Sequence, residues 1–342
     1  MLQSLLSLLV PAIALCLVGC GKSTSSKGPF NDAGAVTQRD EGALNGLRLL
    51  TTDDAGWQCG SLRLYPIVLT DEAEISTLDL LTLDEAMQTP GFRITEMQEF
   101  GRSDQVWYRG LTVQNKTQRP VLLMAGDVIQ GGNQDRVVAQ DYIIAANSLQ
   151  NIEVFCVEAG RSYYYNPEAS EQEKHVAAFY GYHSVCSPSV RSKVFQKEQS
   201  AVWEQVAQVT RANRAETATS AYTAIGEQDA AKTQREGCVR ALKNQFQTLP
   251  HAVGYVAARG DQVASVEIFR LPELFSRRLT ALLEGLAVEA VSSESSSPSG
   301  NETQVKEVFK TVAALADSDA QPTARAGKTT YANTWVHLYS KW

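Results

Sequence analysis

Two short stretches hold the residues best able to do chemistry: MAGDVIQGGNQDRV at 124–137 and VEAGR at 157–161. In the first, an apolar approach gives way to seven residues, 130–136, without one apolar side chain. Gly131-Gly132 would let backbone amides approach an anion, and the forked guanidiniums of Arg136 and Arg161 suit a phosphate or carboxylate. Glu158 or Asp127 could then act as acid or base. The expected ligand-binding set is therefore Gly131, Gly132, Gln134, Arg136 and Arg161, and the expected catalytic set is Glu158 and Asp127. Gln130 and Asp135 complete the polar cluster. The same residue types also build ion-pair and amide networks that only lock two tight turns. Residue types alone favour the lock, because such networks imitate active sites in everything but substrate. The spacing from Gly126 to Gly131 lacks the Lys-Ser/Thr pair of a phosphate-binding loop.

Parity sharpens the place of Glu158. Alternation over 152–158 puts Ile152, Val154, Cys156 and Glu158 on one face of a strand, with Glu153, Phe155 and Val157 opposite. Glu158 thus extends an apolar row with a carboxylate, which must reach the sheet rim or find a donor. Arg161 and Arg136 are the nearest cations in sequence. Tyr163, Tyr164 and Tyr165, with Tyr180 and Tyr182, offer an aromatic wall for a base or sugar, or simple rim packing. His183 and Cys186 have metal-like spacing with His175 upstream, but a fourth ligand is not evident, so no metal and no cofactor are expected. A Cys156–His nucleophile pair has nothing in sequence to bring the His close. No CxxC pair occurs.

The elements that must position these residues fall into stretches of different period. Residues 61–69 alternate, with Leu62, Leu64 and Pro66 on one side and Arg63 and Tyr65 on the other. Further strands are expected at 106–115, 119–124, 136–145 and 152–158, making a β-rich unit over about 57–165. Thr82 to Glu85 is a capping box starting a short helix that Pro90-Gly91 stops. Helices are expected at 196–214, where Val202, Val206 and Val209 form a stripe, and at 227–246. Strands 251–258 and 262–269 flank Arg259-Gly260-Asp261 as a hairpin, an RGD of turn chemistry. A helix at 271–290 has Pro272 in its first turn. Another is expected at 302–316 and a last strand at 329–339. The fold class is α+β: a β-rich N-terminal platform, either a sandwich or a strongly bent sheet, with a helical segment and a returning hairpin packed on it.

The chain has 342 residues and a net charge of −7. That length supports one large or two medium cores, and the acidic balance without basic runs argues against nucleic acid as partner. Residues 1–19 carry no charged side chain and end in Leu17-Val18-Gly19-Cys20, which resembles a bacterial lipobox. Its Cys20 would carry the lipids, although the Lys or Arg that normally opens a signal peptide is missing. The expected organisation is a signal peptide at 1–19, an acylated tether at 20–45 and an α+β domain at 46–290. A Ser-rich linker at 291–302 and a C-terminal helix and strand at 303–342 follow. Membrane attachment through Cys20 then places the protein in the cell envelope and, where two membranes are present, on the periplasmic face of the outer membrane rather than the inner, because Gly21 is not the Asp that resembles a retention signal. Cys59, Cys156, Cys186 and Cys238 remain, with three possible pairings.

Several phrases in order resemble a known family: CGSLRLYP at 59–66, LTLDEA at 81–86, ITE at 94–96, VQN at 113–115 and LLMAGD at 122–127, then GGNQDRV at 131–137, VFCVEAGR at 154–161, VW at 202–203 and GYV at 254–256. They are similar to the ADP-ribosylglycohydrolase- and rhodanese-phosphatase-associated domain family, over about 57–290. Gln134, Arg136, Glu158, Gly160 and Arg161 match its pattern. Asp127, Asn133, Asp135 and Ser162 stand where the family usually has Glu, Lys, Asn and Trp. The resemblance implies association with enzymes of ADP-ribose removal and phosphatases but no established activity. The expected function is an envelope lipoprotein that binds an anionic small molecule, or a glycan or nucleotide derivative, through the polar cluster. The alternatives are a hydrolase of an ADP-ribosyl, phosphate or glycosidic bond, and a structural or assembly lipoprotein.

Overall fold

Alternating apolar stretches assemble into three sheets in the computed structural model, which describes residues 39–40, 43–51, 54–70, 78–97, 109–161, 179–226, 229–292 and 301–342. The lipobox, the tether up to 38, the Tyr163–165 triplet and His175 lie outside the described residues. Among the described residues no helix is long and apolar enough to cross a membrane.

The first sheet joins both ends of the chain. From the N-terminal side come β1 (Arg39–Asp40), β2 (Leu47–Thr51), β3 (Gln58–Cys59) and β4 (Leu62–Leu69). From the C-terminal side come β14 (Ala252–Arg259), β15 (Gln262–Phe269), β16 (Ala326–Tyr331) and β17 (Thr334–Ser340). The order is β1-β2-β4-β14-β15-β17-β16, with β3 also on β4. Pro66 stands inside β4 without an amide to donate, and β4 tolerates it where neither edge partner pairs: β2 takes only 67–69 and β3 only 62–63. The returning hairpin enters the middle of this sheet, with Gly260 at φ 61° in its turn. The segment expected as a single strand at 329–339 is the hairpin β16–β17, turned at Ala332 and Asn333, both with positive φ.

The second sheet has the order β13-β9-β10-β12-β7-β6. Its strands are β6 (Phe92–Glu96), β7 (Gly110–Asn115), β9 (Asp127–Gly131), β10 (Arg136–Val138), β12 (Ser148–Cys156) and β13 (Phe179–Val185). A small third sheet consists of β5 (Leu81–Thr82), β8 (Val121–Leu123) and β11 (Tyr142–Ile144). The strand expected at 136–145 is therefore two strands in two sheets. The break falls at Asp141, whose carboxylate accepts the Ala125 N–H at 2.9 Å and so turns the chain at a corner.

Among the described residues six helices cover the sheets: α1 (Leu83–Met87), α2 (Pro188–Phe195), α3 (Gln199–Ala212), α4 (Asp229–Gln247), α5 (Pro272–Ser292) and α6 (Glu302–Ala313). The helix expected at 196–214 begins only at Gln199, because Lys197 takes positive φ after α2. Leu62, Leu64 and Tyr255 of the first sheet bury against Leu242 and Phe246 of α4 and Phe275 and Leu283 of α5. The opposite face, through Tyr65, Ile67 and Val256, meets Val305, Phe309 and Val312 of α6. Residues 303–342, expected as an extension, thus close one face of the first sheet. Val137 and Phe155 of the second sheet pack on Val190, Val202 and Val206, while Ile129, Val138 and Val154 pack on Val121 and Leu123. Each such side chain contributes roughly 1.5–3 kcal/mol on burial. Cys59 and Cys238 form a disulfide, with 5.7 Å between Cα atoms and 179 residues of separation, while Cys156 and Cys186 are buried thiols rather than a second bond.

Candidate functional site

The polar run at 130–136 makes the loop of the β9–β10 hairpin. Arg136 stands opposite Ile129 and Val137 opposite Val128, so residues 132–135 form the connection. Gly131 (φ 112°) and Gly132 (φ 59°) adopt backbone that other residues resist. A Cβ on Gly132 would overlap the Phe179 ring. Asp135 closes the loop by accepting the Gly131 N–H at Oδ1, 2.9 Å away. The Asn133 N–H donates to Glu96 Oε1 at 2.9 Å. Two amides of the Gly-rich turn are therefore already held by carboxylates of the chain itself.

Strand register supplies the rest. Arg136 pairs with Cys156 across β10 and β12, so both lie in the row that includes Val138 and Val154. Phe155 and Val157 face the α2–α3 core, as alternation requires. Arg136 is 1% exposed. Its Nη2 donates to Glu96 Oε1 and Oε2 at 3.2 and 3.3 Å, and its Nη1 to Gln134 Oε1 at 3.2 Å and to Cys156 Sγ. Gln134 Nε2 donates to the Glu158 carbonyl at 2.9 Å. Burial raises the Cys156 thiol above its ordinary value, although Arg136 opposes the shift.

Glu158 lies just past the end of β12, bridged to Ala221. Its Oε2 accepts from Arg161 Nε at 2.6 Å and from the Asp135 N–H at 3.3 Å. Arg161 Nη1 donates to the Gly132 carbonyl at 3.2 Å and Nη2 to Asp135 Oδ1 at 2.9 Å. The Thr223 hydroxyl donates to Asp135 Oδ2 at 2.7 Å, from the 3-10 turn Tyr222–Gly226. Gly160 donates to the Thr219 carbonyl, and a Cβ there would stand 2.7 Å from Thr219 Cα. Three acids (Glu96, Asp135, Glu158) and two arginines (Arg136, Arg161) leave one formal negative charge in the cluster. Each guanidinium already holds a carboxylate of the chain.

Asp127 is separate. It is fully buried, pairs with Arg278 of α5, and accepts from the Met124 N–H at 2.7 Å and the Tyr182 hydroxyl at 3.1 Å. Burial raises its carboxyl above the ordinary value, and Arg278 only partly reverses this. Gln130 pairs with Gly181 across β9 and β13. The structure thus joins Gly131, Gly132, Gln134, Asp135, Arg136, Glu158 and Arg161 and places Asp127 in a different pair. Among the described residues, no group of three potential ligands could hold a metal ion.

A family model described as the ARG and Rhodanese-Phosphatase-superfamily-associated Protein domain, ARPP-1, matches residues 52–335. The chain belongs to this family. No curated protein and no solved structure matches it. The ARPP-1 match takes in every residue of the cluster and most of all three sheets. Two members of the cluster carry no local sign of their role. Glu96 arrives from β6 through tertiary pairing, with only the ITE phrase to mark it, and Thr223 comes from a turn that follows α3. A second buried charged network, built from Asp141, Arg191, Glu267 and, just past the matched residues, His337, has its partners 70 to 196 residues apart in sequence and leaves no short motif.

Proposed function

We propose that this ARPP-1 protein is a structural or assembly lipoprotein of the bacterial cell envelope, with the Gln134–Arg161 cluster as the internal lock of a rigid domain. The observation that carries the reading is closure. Both Arg136 and Arg161 are paired with carboxylates of the chain, Gln134 uses both ends of its amide, and two amides of the glycine turn are already bonded. Anchoring rests on the lipobox at Cys20, and the Cys59–Cys238 disulfide supports an oxidising, exported location.

Two measurements test it. Labelling cells with a fatty acid should mark the wild-type protein and leave Cys20→Ala unlabelled and released from membranes; a wild-type protein without label contradicts the anchor. Glu158→Gln and Arg136→Ala should each lower the thermal midpoint, and unchanged melting would remove the lock.

One atom favours a second reading, a hydrolase with Glu158 as general base. Both side-chain contacts go to Oε2, and among the described residues no donor reaches Oε1. If Glu158→Gln folds like wild type yet loses turnover on an ADP-ribosyl, phosphate or glycosidic substrate, that reading replaces the lock.

A further inference from the structure

His337 is fully buried in β17, and each of its ring nitrogens faces a carboxylate. Nδ1 lies 2.7 Å from Asp141 Oδ2 and Nε2 lies 2.8 Å from Glu267 Oε2. A neutral imidazole has one N–H and one lone pair, so it can serve only one of them; the other carboxylate would meet the lone pair. Only the imidazolium donates to both. We propose that His337 is a proton-binding site, an imidazolium latch that clips the first sheet to the corner where the second and third sheets part, and that loss of its proton opens this contact.

The surroundings fit a bound cation. The ring stacks between Phe269, with centroids 4.4 Å apart, and Tyr339, at 5.0 Å. Asp141 sits in the turn between β10 and β11, where it also accepts from Ala125 N–H and from the Thr329 hydroxyl of β16 at 2.7 Å. Glu267 of β15 also pairs with Arg191 of α2. The facing groups from every packed element are therefore Asp141, Glu267, Arg191 and the Tyr339 phenol. With His337 charged, two cations meet two anions and the buried set is neutral. Without that proton it carries an uncompensated negative charge in the interior, which is strongly unfavourable.

Burial alone would lower the His337 pKa, but Asp141 and Glu267 more than reverse this, and the net direction is up from 6.5. Burial likewise works against the Asp141 carboxylate, yet His337, the Ala125 N–H and the Thr329 hydroxyl hold it below 3.8. The signs follow. The His337 contribution is complete below its unfolded value near 6.5 and is lost as pH rises through its higher folded value. The Asp141 contribution is present above 3.8 and is lost as pH falls through its lower folded value. The latch therefore holds between the Asp141 value below 3.8 and the His337 value above 6.5, and releases as pH rises through the latter.

The test is nitrogen NMR of the full-length, histidine-labelled protein in detergent, titrated upward in pH beside thermal melts. The chain has four histidines. One imidazole should keep both nitrogens protonated above pH 6.5, should be missing in His337→Gln, and should lose its proton as the wild-type melting temperature drops. His337→Gln should melt lower at neutral pH but lack that alkaline step. If His337→Gln does not fold, Asp141→Asn supplies the assignment by moving the same proton release to lower pH. A His337 ring with a single protonated nitrogen at neutral pH, or an alkaline step retained in His337→Gln, overturns the proposal.

Discussion

Arg136 is the side chain whose removal should be felt most strongly. It is 1% exposed and holds Glu96, Gln134 and Cys156 together, so Arg136→Ala leaves a carboxylate and an amide without their donor. Breaking a buried pair in this way costs about 3–5 kcal/mol, which a urea melt would read directly. Arg161 is a milder case. Its side chain is 20% exposed, so solvent can take over part of its role, and Arg161→Gln should lose clearly less than Arg136→Ala in the same melt. Most of this cluster was legible in sequence because its members sit in two short turns. Parity placed Cys156 in the Val154 row and aimed Glu158 at an arginine, and the pairing with Arg161 follows from three residues of separation. Glu96 and Thr223 were not legible, since tertiary packing alone brings them in. Asp127 lies five residues before Gly132, but its partner Arg278 is more than 150 residues away, and nothing local announces that pairing.

Elements whose signals are local match their expectation. The Thr82 hydroxyl accepts from the Glu85 N–H at 3.4 Å and Glu85 reaches back to the Thr82 N–H at 2.9 Å, forming the capping box of α1. Thr82→Ala should lower stability by about 1 kcal/mol, measured by denaturant midpoint. Pro272 opens α5 and Gly260 turns β14 into β15 for equally local reasons. Pairings between distant strands were not legible. The stretch 136–145, apolar but for Arg136, Gln140 and Asp141, hides a change of sheet, because a strand leaving one sheet and entering the next keeps the same alternation. The bonds that Asp141 makes to Ala125, Thr329 and His337 help fix the corner. The loop between β9 and β10 is set by glycine geometry. Gly132→Ala would force the Phe179 ring and Glu96 aside, and a lower melting temperature without change in the folded spectrum is the expected outcome.

At the scale of the whole molecule, the first sheet joins residues from both ends of the chain, and the disulfide ties β3 to α4 across 179 residues. Constraining so long a loop in the unfolded chain stabilises the fold, and Cys59→Ser with Cys238→Ser should cost about 2–5 kcal/mol, seen equally when wild type is melted under reductant. Composition and period gave α+β and the helix-rich middle of the chain. They did not reveal that the C-terminal helix and hairpin complete the first sheet, since an edge pairing to β15 has no signature in residues 303–342 alone. The central claim is that the ARPP-1 cluster is a closed lock. It is tested most directly by melting the wild-type protein with saturating ADP-ribose, nucleotides, sugar phosphates and peptidoglycan fragments in turn. A true ligand at about 100 times its Kd would add about 2.7 kcal/mol and raise the melting temperature. The expected result is an unshifted wild-type melt with every compound, and a stabilisation by any one of them that disappears in Arg161→Gln would contradict the lock.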